Sequence, residues 1–289
     1  MKDNTAVVIV NYFSSNFITK AVDVFHDTPF DIFIIDNSCD RNEQNRLKEI
    51  KNNEKRITLV FNSYNVGFGP AISHFVQNNN NYKSYTFVNP DIIGINTKKF
   101  RGQLELFLES EYCLFQPLII DNLRKENSIQ GIIDTRDIYV FLEYTLFKFF
   151  FKRSVITAQK VKNGLTDLFI PSGAFFTIKK SALLLIGGFP STTFLYFEEW
   201  LIASKIKKKH SHIGYIDSNI IVKHDVGGST KLKFGISNRK MSLIRLNSFI
   251  KAVDEIFKRT LLIKILIYFD FILRSILSLI LKTYVKLKG

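Results

Sequence analysis

The sequence predicts an α/β fold in which a mostly parallel central sheet is flanked by helices, with amphipathic helices at the C-terminal end. Two observations support this class. Through the first hundred residues, short runs of β-branched and aromatic residues alternate with helix-like segments, a pattern typical of βαβ units. Most of these runs are almost continuously apolar, as expected of strands that helices cover on both faces.

The elements of this N-terminal part follow in order. Strands are predicted at residues 6–10, 32–35, 57–61 and 85–88. Helices are predicted between them, at residues 16–26, 41–51 and 70–77. Each helix therefore connects two neighbouring strands, which predicts parallel strand pairing.

Each predicted strand ends in a polar cluster. Asn11 follows the first strand, Asp36 opens the cluster after the second, residues 62–69 follow the third, and Asn89-Pro90-Asp91 follows the fourth. Asn, Asp, Ser and Gly are also ordinary turn residues, so any one cluster has a purely structural explanation. Because the carboxyl ends of parallel strands lie along one sheet edge, the four clusters together predict a ligand site there.

The rest of the chain has a less regular pattern. Strands are predicted at residues 112–120, 129–133, 213–216 and 220–223, and a short helix is expected to end at Ile186. Another helix is predicted to begin at Glu198. Residues 138–153 predict a helix that is either buried or in contact with a membrane through its basic end.

The net charge of +14 is concentrated at one end of the chain. Residues 1–204 carry 22 basic and 21 acidic side chains, whereas residues 205–289 carry 18 and 5. Such a block attracts an anionic partner, either nucleic acid or a lipid surface. The two cysteines, Cys39 and Cys113, are too few for a disulfide framework or a zinc cluster, and no secretory signal precedes Thr5. We therefore expect a cytoplasmic protein.

Residues 260–288 have the pattern of a helix with a wide apolar face. Polar residues recur every four positions, at Asp270, Arg274, Ser278, Lys282 and Lys286. One interpretation is a helix packed on the rest of the protein or on a partner subunit, and the other is a helix lying in the plane of an anionic membrane. The longest uncharged stretch falls far short of the ~18 to 20 residues of a spanning helix.

Eight short motifs occur in a fixed order: VVIVNY, IIDNS, NVGFG, FVNPD, PSGAFF, GGF, FLYFEEW, and IIVKH followed by GGS. Over roughly residues 5–230 the chain resembles glycosyltransferase family 2, in the branch of bacterial rhamnosyltransferase-like enzymes that extend surface polysaccharides. The resemblance implies a GT-A nucleotide-diphospho-sugar transferase fold and inverting sugar transfer to an acceptor hydroxyl. We expect a catalytic domain over residues 1–233, divided near residue 100 into nucleotide-binding and acceptor halves, and a membrane-associating helical region over residues 234–289.

The resemblance also implies which residues bind the donor. Asp36 corresponds to the acidic residue that meets the nucleoside, and Asn65 with Gly67 corresponds to the loop beside the nucleotide. Further substrate-binding positions are expected at Asn11, Asn89, Ser172, Gly173 and Glu198.

Metal binding and proton removal are assigned to three other residues. Asp91 corresponds to the ligand of the family's Asp-x-Asp metal motif, His224 to a further ligand, and Glu199 to the catalytic base. Mg²⁺ or Mn²⁺ suits carboxylate and diphosphate oxygens, and a histidine ligand favours Mn²⁺. A carboxylate can remove the acceptor proton, and the like charge of Glu198 is expected to raise one pKa of the pair.

Three positions depart from the family pattern. Glu199 stands where the family usually has Asp, Leu201 where it has a further acidic residue, and Pro190 where it has Asp. A misplacement of ~1 Å can cost ~10²-fold in rate, so these changes bear on activity. Since Asp91 and His224 are both present, the sequence favours an active enzyme over an inactive membrane-associated scaffold.

The expected partners follow from the same comparison. The donor is expected to be dTDP-rhamnose, with a UDP-hexose or UDP-galactofuranose as alternatives. The acceptor is expected to be a lipid-linked saccharide of O-antigen or capsule synthesis, at the inner face of the cell membrane, and contacts between C-terminal helices would allow oligomers.

Two other classes of protein are less consistent with the sequence. A dinucleotide oxidoreductase would need a third glycine where Ile72 stands. A nucleic-acid-binding protein would array its basic residues on a polar surface rather than interleave them with apolar ones. No nucleic-acid partner is therefore expected.

Overall fold

The computed structural model describes residues 4–146, 155–225, 238–258 and 261–288. Its strands are β1 (Thr5–Asn11), β2 (Asp31–Asp36), β3 (Ile57–Phe61), β4 (Ser84–Val88), β5 (Ile92–Ile95), β6 (Leu114–Asp121), β7 (Ile129–Ile132), β8 (Val155–Thr157), β9 (Leu165–Leu168), β10 (Ile170–Pro171), β11 (Phe175–Lys179) and β12 (Gly214–His224). Its helices are α1 (Ser15–Asp23), α2 (Arg41–Asn53), α3 (Phe68–Asn78), α4 (Thr97–Glu109), α5 (Asp137–Glu143), α6 (Lys180–Ile186), α7 (Glu198–Lys207), α8 (Asn238–Ile256) and α9 (Leu261–Lys288), with a 3₁₀ turn at Ala158–Lys160.

The described strands form one large central sheet and one small sheet. The central sheet has the order β3-β2-β1-β4-β11-β6-β12-β5, and β9 pairs with β12. β1 to β4 pair in parallel, as do β6 and β12, whereas β11, β9 and β5 join their neighbours antiparallel. The predicted α/β class is confirmed, with the parallel character strongest in the N-terminal half. β5 follows β4 after three residues, too few for the crossover that a parallel strand requires.

The predicted elements of the first hundred residues all occur, with ends shifted by a few residues. The prediction of two separate strands at residues 213–216 and 220–223 was wrong, because β12 is continuous. Its register shifts between Asp217 and Ile221, where the Asp217 carboxylate accepts the backbone N–H of Asn219 at 2.9 Å. The polar residues therefore form a bulge rather than a break. Residues 147–153 of the predicted helix lie outside the described residues.

Apolar side chains cover both faces of the central sheet. Successive residues of β1 alternate between them: Ala6 and Val8 belong to one cluster, Val7 and Ile9 to the other. The first cluster includes side chains of α3, α6, α7 and α8, and the second includes side chains of α1 and α4. The strands are therefore buried on both faces, and their polar ends supply the functional groups.

α8 belongs to the first of these cores. The buried ring of Phe249 lies 5.2 Å from that of Phe197, 5.7 Å from Phe141, 5.9 Å from Tyr144 and 6.2 Å from Trp200, measured between ring centroids. We call these five side chains the aromatic cluster. It joins α5, α7 and the turn before α7 to α8. The division of the chain after residue 233 stays a prediction.

α9 contacts the rest of the protein through both apolar and polar residues. Ile267 is buried in the first core cluster, and Ile263 and Leu266 pack against that cluster. The buried Asp270 carboxylate accepts the backbone N–H of Leu146 at 2.5 Å and the guanidinium of Arg274 at 2.7 Å. Arg274 also donates to the carbonyl of Tyr144 at 3.0 Å. The predicted polar stripe is therefore directed toward the protein at these two positions. In the ranges that the structure describes, none of the helices combines the length and the hydrophobicity required of a membrane-spanning segment.

Truncating the centre of the aromatic cluster tests whether α8 is part of the folding unit. We expect Phe249→Ala to lower the free energy of unfolding by about 3–5 kcal/mol, because it leaves a cavity among four rings. Leu243→Ala, at an exposed position of the same helix, is the matched control and should change it by less than ~0.5 kcal/mol. Urea unfolding measures both, and equal effects would contradict a shared core.

Candidate active site

The polar loops meet at one edge of the central sheet. Asp36 ends β2, Asp91 follows β4, and His224 ends β12, which runs in the same direction as β4. β11 runs the opposite way, so the residues that precede it, 172–174, lie at the same edge. The sheet topology therefore gathers residues from distant parts of the sequence.

The two predicted metal ligands are in direct contact. Nε2 of His224 lies 3.0 Å from Oδ1 of Asp91, and the Asp91 residue is only 2% exposed. The backbone holds the pair in place: Asp225 N–H donates to the Asp91 carbonyl at 2.9 Å, and Asn122 N–H to the His224 carbonyl at 3.1 Å. In the described part of the chain, no group of three or more His, Cys, Asp or Glu side chains could hold a metal ion. A pair of protein ligands fits a hard cation that takes its remaining ligands from a diphosphate and water.

Asp36, the predicted nucleoside contact, is fully buried, and hydrogen bonds hold its side chain in place. Its carboxylate accepts hydrogen bonds from the Asn11 amide and the Ser38 hydroxyl, both at 2.8 Å. The same Asn11 amide also donates to the buried Glu43 at 3.1 Å. One amide thus holds two carboxylates at the end of β1, and sequence analysis did not identify Glu43.

The predicted nucleotide loop is held in place by the segment that leads into α7. The Asn65 side chain accepts the Gly67 N–H at 3.0 Å, and the Gly67 carbonyl accepts the Asn37 amide at 3.0 Å. Gly67 has φ of +92°, and a Cβ there would overlap the Phe194 carbonyl oxygen. That carbonyl accepts the Phe68 N–H at 2.7 Å. Glycine is therefore required at residue 67 both for its backbone conformation and for close approach.

The acidic pair at the start of α7 has two different environments. Glu198 is 1% exposed and accepts the buried Thr193 hydroxyl at 2.9 Å. Glu199 is partly exposed, and its carboxylate lies so close to Gly173 that a Cβ at that position would overlap Oε1. The two side chains diverge, as expected of neighbouring helical residues. Only Glu199 reaches the 172–174 loop.

The turn before α7 is strained. Tyr196 and Phe197 have φ of +77° and +73°, in the left-handed region that non-glycine residues rarely adopt. Each such residue costs of order 1–3 kcal/mol and persists only where its surroundings impose it. Here the imposing contacts are the packing of Phe197 in the aromatic cluster and the hydrogen bond to the Phe194 carbonyl. The strained turn directly precedes Glu198 and Glu199, the two acidic residues of the first turn of α7.

The environment of this acidic pair favours the protonated forms. Burial raises the pKa of both carboxyls, and the negative charge of Glu198 raises the pKa of Glu199 further. Burial together with the charge of Glu199 raises the pKa of Tyr144 to about 12, so its hydroxyl stays protonated beside the pair. A carboxylate with a raised pKa is a stronger base once it is deprotonated.

The 172–174 loop links the Asp91–His224 pair to the acidic pair. The Ala174 carbonyl accepts the Asn89 N–H at 2.9 Å, two residues before Asp91. At the other end, the Ser172 N–H donates to the side chain of the fully buried Gln116 at 2.7 Å. Gly173, between them, lies against Glu199. This loop therefore sets the position of the acidic pair relative to Asp91.

Besides Glu43, three residues of the site were missed by sequence analysis: Tyr144, Gln116 and Arg245. Arg245 lies on α8, and its guanidinium is 5.6 Å from the ring of Tyr196, which is exposed at the rim of the site. None of the three belongs to a recognisable motif, and each contacts the site from a distant part of the chain. No signal in the sequence could have identified them.

Solved structures with the GT-A fold are similar to this mixed sheet and its flanking helices, which confirms the predicted fold class. The mannosyltransferase PcManGT from Pyrobaculum calidifontis, solved in complex with GDP-Man and Mn²⁺, matches with a TM-score of 0.58 at 11% sequence identity. The match covers 90% of this chain and 66% of that one. No family model and no curated protein matches the sequence.

Two further structures have the same fold. GalNAc-T7 with UDP, GalNAc and Mn²⁺ matches with a TM-score of 0.58 at 17% identity, over 83% of this chain and 47% of that one. TarS from S. aureus, residues 1–349, matches with a TM-score of 0.52 at 14% identity, over 89% and 68%. The chain therefore spans about half to two thirds of these proteins. At such low identity, the likeness establishes the fold.

A single methyl group tests the contact between Gly173 and Glu199. If the chain transfers sugars as the sequence predicts, Gly173→Ala should lower that turnover by about 10²-fold, because the new Cβ displaces the Glu199 carboxylate. Gly102→Ala is the matched control: it lies in α4, where a Cβ meets nothing within 4 Å, and should leave turnover unchanged. Circular dichroism checks that both variants fold, and an unimpaired Gly173→Ala enzyme would show that this contact is unimportant.

Proposed function

We propose that this protein is an inverting, metal-dependent glycosyltransferase that moves a sugar from a nucleoside-diphosphate donor to an acceptor hydroxyl. One observation carries the proposal: a single loop, residues 172–174, contacts Glu199 and is hydrogen-bonded beside the Asp91–His224 pair. Proton removal from the acceptor and charge neutralisation on the leaving diphosphate would therefore take place on either side of one sugar.

The donor half of the reaction rests on the sheet-edge loops. Asp91 and His224 would hold the cation, and Asp36, Asn65 and Asn89 line the loops assigned to the nucleotide. A bound Mn²⁺ or Mg²⁺ would neutralise negative charge on the leaving diphosphate. The structures of similar fold contain GDP-Man or UDP, which is consistent with a nucleotide-sugar donor here. Within this class, we propose dTDP-rhamnose first and a UDP-hexose or UDP-galactofuranose second.

Glu199 is the proposed base. Its carboxylate takes the proton of the acceptor hydroxyl while the hydroxyl oxygen bonds to the anomeric carbon. The bond from that carbon to the diphosphate oxygen breaks on the opposite face, which inverts the configuration. Glu198 is buried and bonded to Thr193, so it acts on Glu199 through its charge rather than on the acceptor. The acceptor that best fits the family resemblance is a lipid-linked saccharide of bacterial surface polysaccharide.

One of the sequence departures near this base has a structural explanation. Leu201 is fully buried among the apolar side chains of the first core cluster, where an acidic side chain would lose its hydration. The carbonyl of Pro190 lies against Gly69 at the start of α3, where a Cβ would come within 2.7 Å of it. That contact is made by the backbone of residue 190, so nothing in the structure explains why proline stands there. The proposed chemistry is assigned to the acidic pair.

A donor screen tests the proposed class of enzyme. With Mn²⁺ or Mg²⁺, we expect the full chain to release nucleoside diphosphate from one of dTDP-rhamnose, UDP-glucose, UDP-galactofuranose or GDP-mannose. Asp91→Asn should lower this release at least ~10²-fold, whereas Asp23→Asn, at an exposed position of α1, should leave it unchanged. A chain that turns over none of these donors, or binds only NAD, would exclude the proposal.

The pH dependence of transfer tests the assigned base. Because Glu199 must be deprotonated to act and its pKa is raised, we expect kcat to increase as pH rises through the near-neutral range, well above ~4.3, the pKa of an ordinary glutamate. Glu199→Gln should abolish this rise of kcat with pH and lower kcat by about 10²- to 10⁴-fold. Glu105→Gln, on an exposed part of α4, is the control and should keep the wild-type profile. An increase of kcat that occurs near pH 4 instead would show that a different group acts as the base.

A further inference from the structure

The described part of α9 carries a continuous apolar surface that nothing covers within the described chain. Its members are large side chains that are between 49% and 73% exposed, and we call them the outer stripe: Leu261, Ile265, Tyr268, Phe269, Ile272 and Ile276. Their spacing of three or four residues, with one adjacent pair, places them on one face of the helix. Contiguous exposed apolar surface of this kind marks an interaction site.

The opposite face of α9 is attached to the protein by apolar and by charged side chains. Ile267 is buried in the first core cluster, and three charged residues add polar contacts. Asp270 is bonded to the Leu146 N–H and to Arg274, which in turn holds the Tyr144 carbonyl. Lys264 is paired with Asp254 of α8 at 2.9 Å. An ordinary surface helix buries its apolar face and exposes a polar one, whereas α9 buries Ile267 and also exposes the large apolar side chains of the outer stripe. The core contacts and the ion pairs together hold the outer stripe directed away from the protein.

The charge of this region indicates what covers the stripe. Residues 238–288 contain 11 Lys and Arg but only 3 Asp and Glu. Two copies of the stripe packed together would bring these positive charges close to each other, which opposes association. A bilayer with anionic headgroups complements them and accepts the apolar side chains at the same time.

The attachment of α9 also places this surface near the acidic pair. Arg274 holds the carbonyl of Tyr144, and the Tyr144 ring lies 4.9 Å from that of Phe197. Phe197 directly precedes Glu198 in the strained turn. The orientation of α9 is therefore coupled, through Tyr144 and Phe197, to the turn that carries the acidic pair.

We propose that the outer stripe of α9 lies in the plane of an anionic bilayer and that the Asp270–Arg274 pair holds the active site in a defined orientation to that surface. The docking itself stands independently of the proposed reaction. Its use for reaching a membrane-anchored acceptor rests on the proposed glycosyltransferase function.

Cosedimentation with lipid vesicles tests the docking surface. The full chain, without detergent, is mixed with vesicles of phosphatidylcholine alone or with one third phosphatidylglycerol. We expect binding to the anionic vesicles and at least ~10-fold weaker binding to the neutral ones. Replacing three stripe residues together, Ile265→Ser, Phe269→Ser and Ile272→Ser, should weaken binding to the anionic vesicles at least ~10-fold. The matched control replaces equally exposed leucines elsewhere, Leu106→Ser and Leu184→Ser, and should bind as the wild type does.

Three outcomes would overturn the proposal. In the first, the wild-type protein stays in solution when anionic vesicles are present. In the second, the stripe variant and the control variant bind these vesicles equally well. In the third, the stripe substitutions leave vesicle binding unchanged, and light scattering shows a monomer where the wild type is a dimer. The last result would mean that a second copy covers the stripe. Donor hydrolysis is measured on the same samples: loss of hydrolysis on Asp91→Asn tests the reaction, and vesicle binding that persists in that variant keeps the two questions separate.

Discussion

The position of the acidic pair depends on one close contact, between the Glu199 carboxylate and the backbone of Gly173. The 172–174 loop precedes β11, the antiparallel strand that enters the sheet between β4 and β6. β11 pairs with β4 along five residues. This pairing holds the loop level with the end of β4, close to Asp91. Any change that moves this loop moves Glu199 relative to Asp91 and His224.

A second constraint acts from the other side. Tyr196 and Phe197 adopt left-handed backbone conformations that are maintained by the aromatic cluster and by the Phe194 carbonyl. The cluster takes its central ring from α8, far from the sheet-edge loops in sequence. The C-terminal helices therefore support the turn that carries Glu198 and Glu199, in addition to any role at a surface. This explains why a helix outside the family motifs packs so deeply into the fold.

Much of the fold was predictable, for reasons that particular residues make clear. The parallel strands β1 to β4 are short apolar runs with polar ends, and that pattern is local. The pairing of Asp91 with His224 spans 133 residues, and only the family resemblance implied it. Gln116, Tyr144 and Arg245 act through long-range contacts with no local pattern. The helical period of α9 was visible in the sequence. Which way its polar side faces depends on the hydrogen bond from the Leu146 N–H, just after α5, to Asp270.

In the proposed reaction, Asp91 and His224 bind the cation of a nucleotide-sugar site whose acceptor side is formed by Glu199. A crystal structure of the chain grown with Mn²⁺ and the nucleoside diphosphate of its donor tests this most directly, because anomalous scattering locates manganese unambiguously. We expect one manganese ion held by Asp91 and His224 beside the diphosphate, with Glu199 facing the same cavity. Manganese bound elsewhere, or a nucleotide bound away from the Asp36 and Gly67 loops, would contradict it.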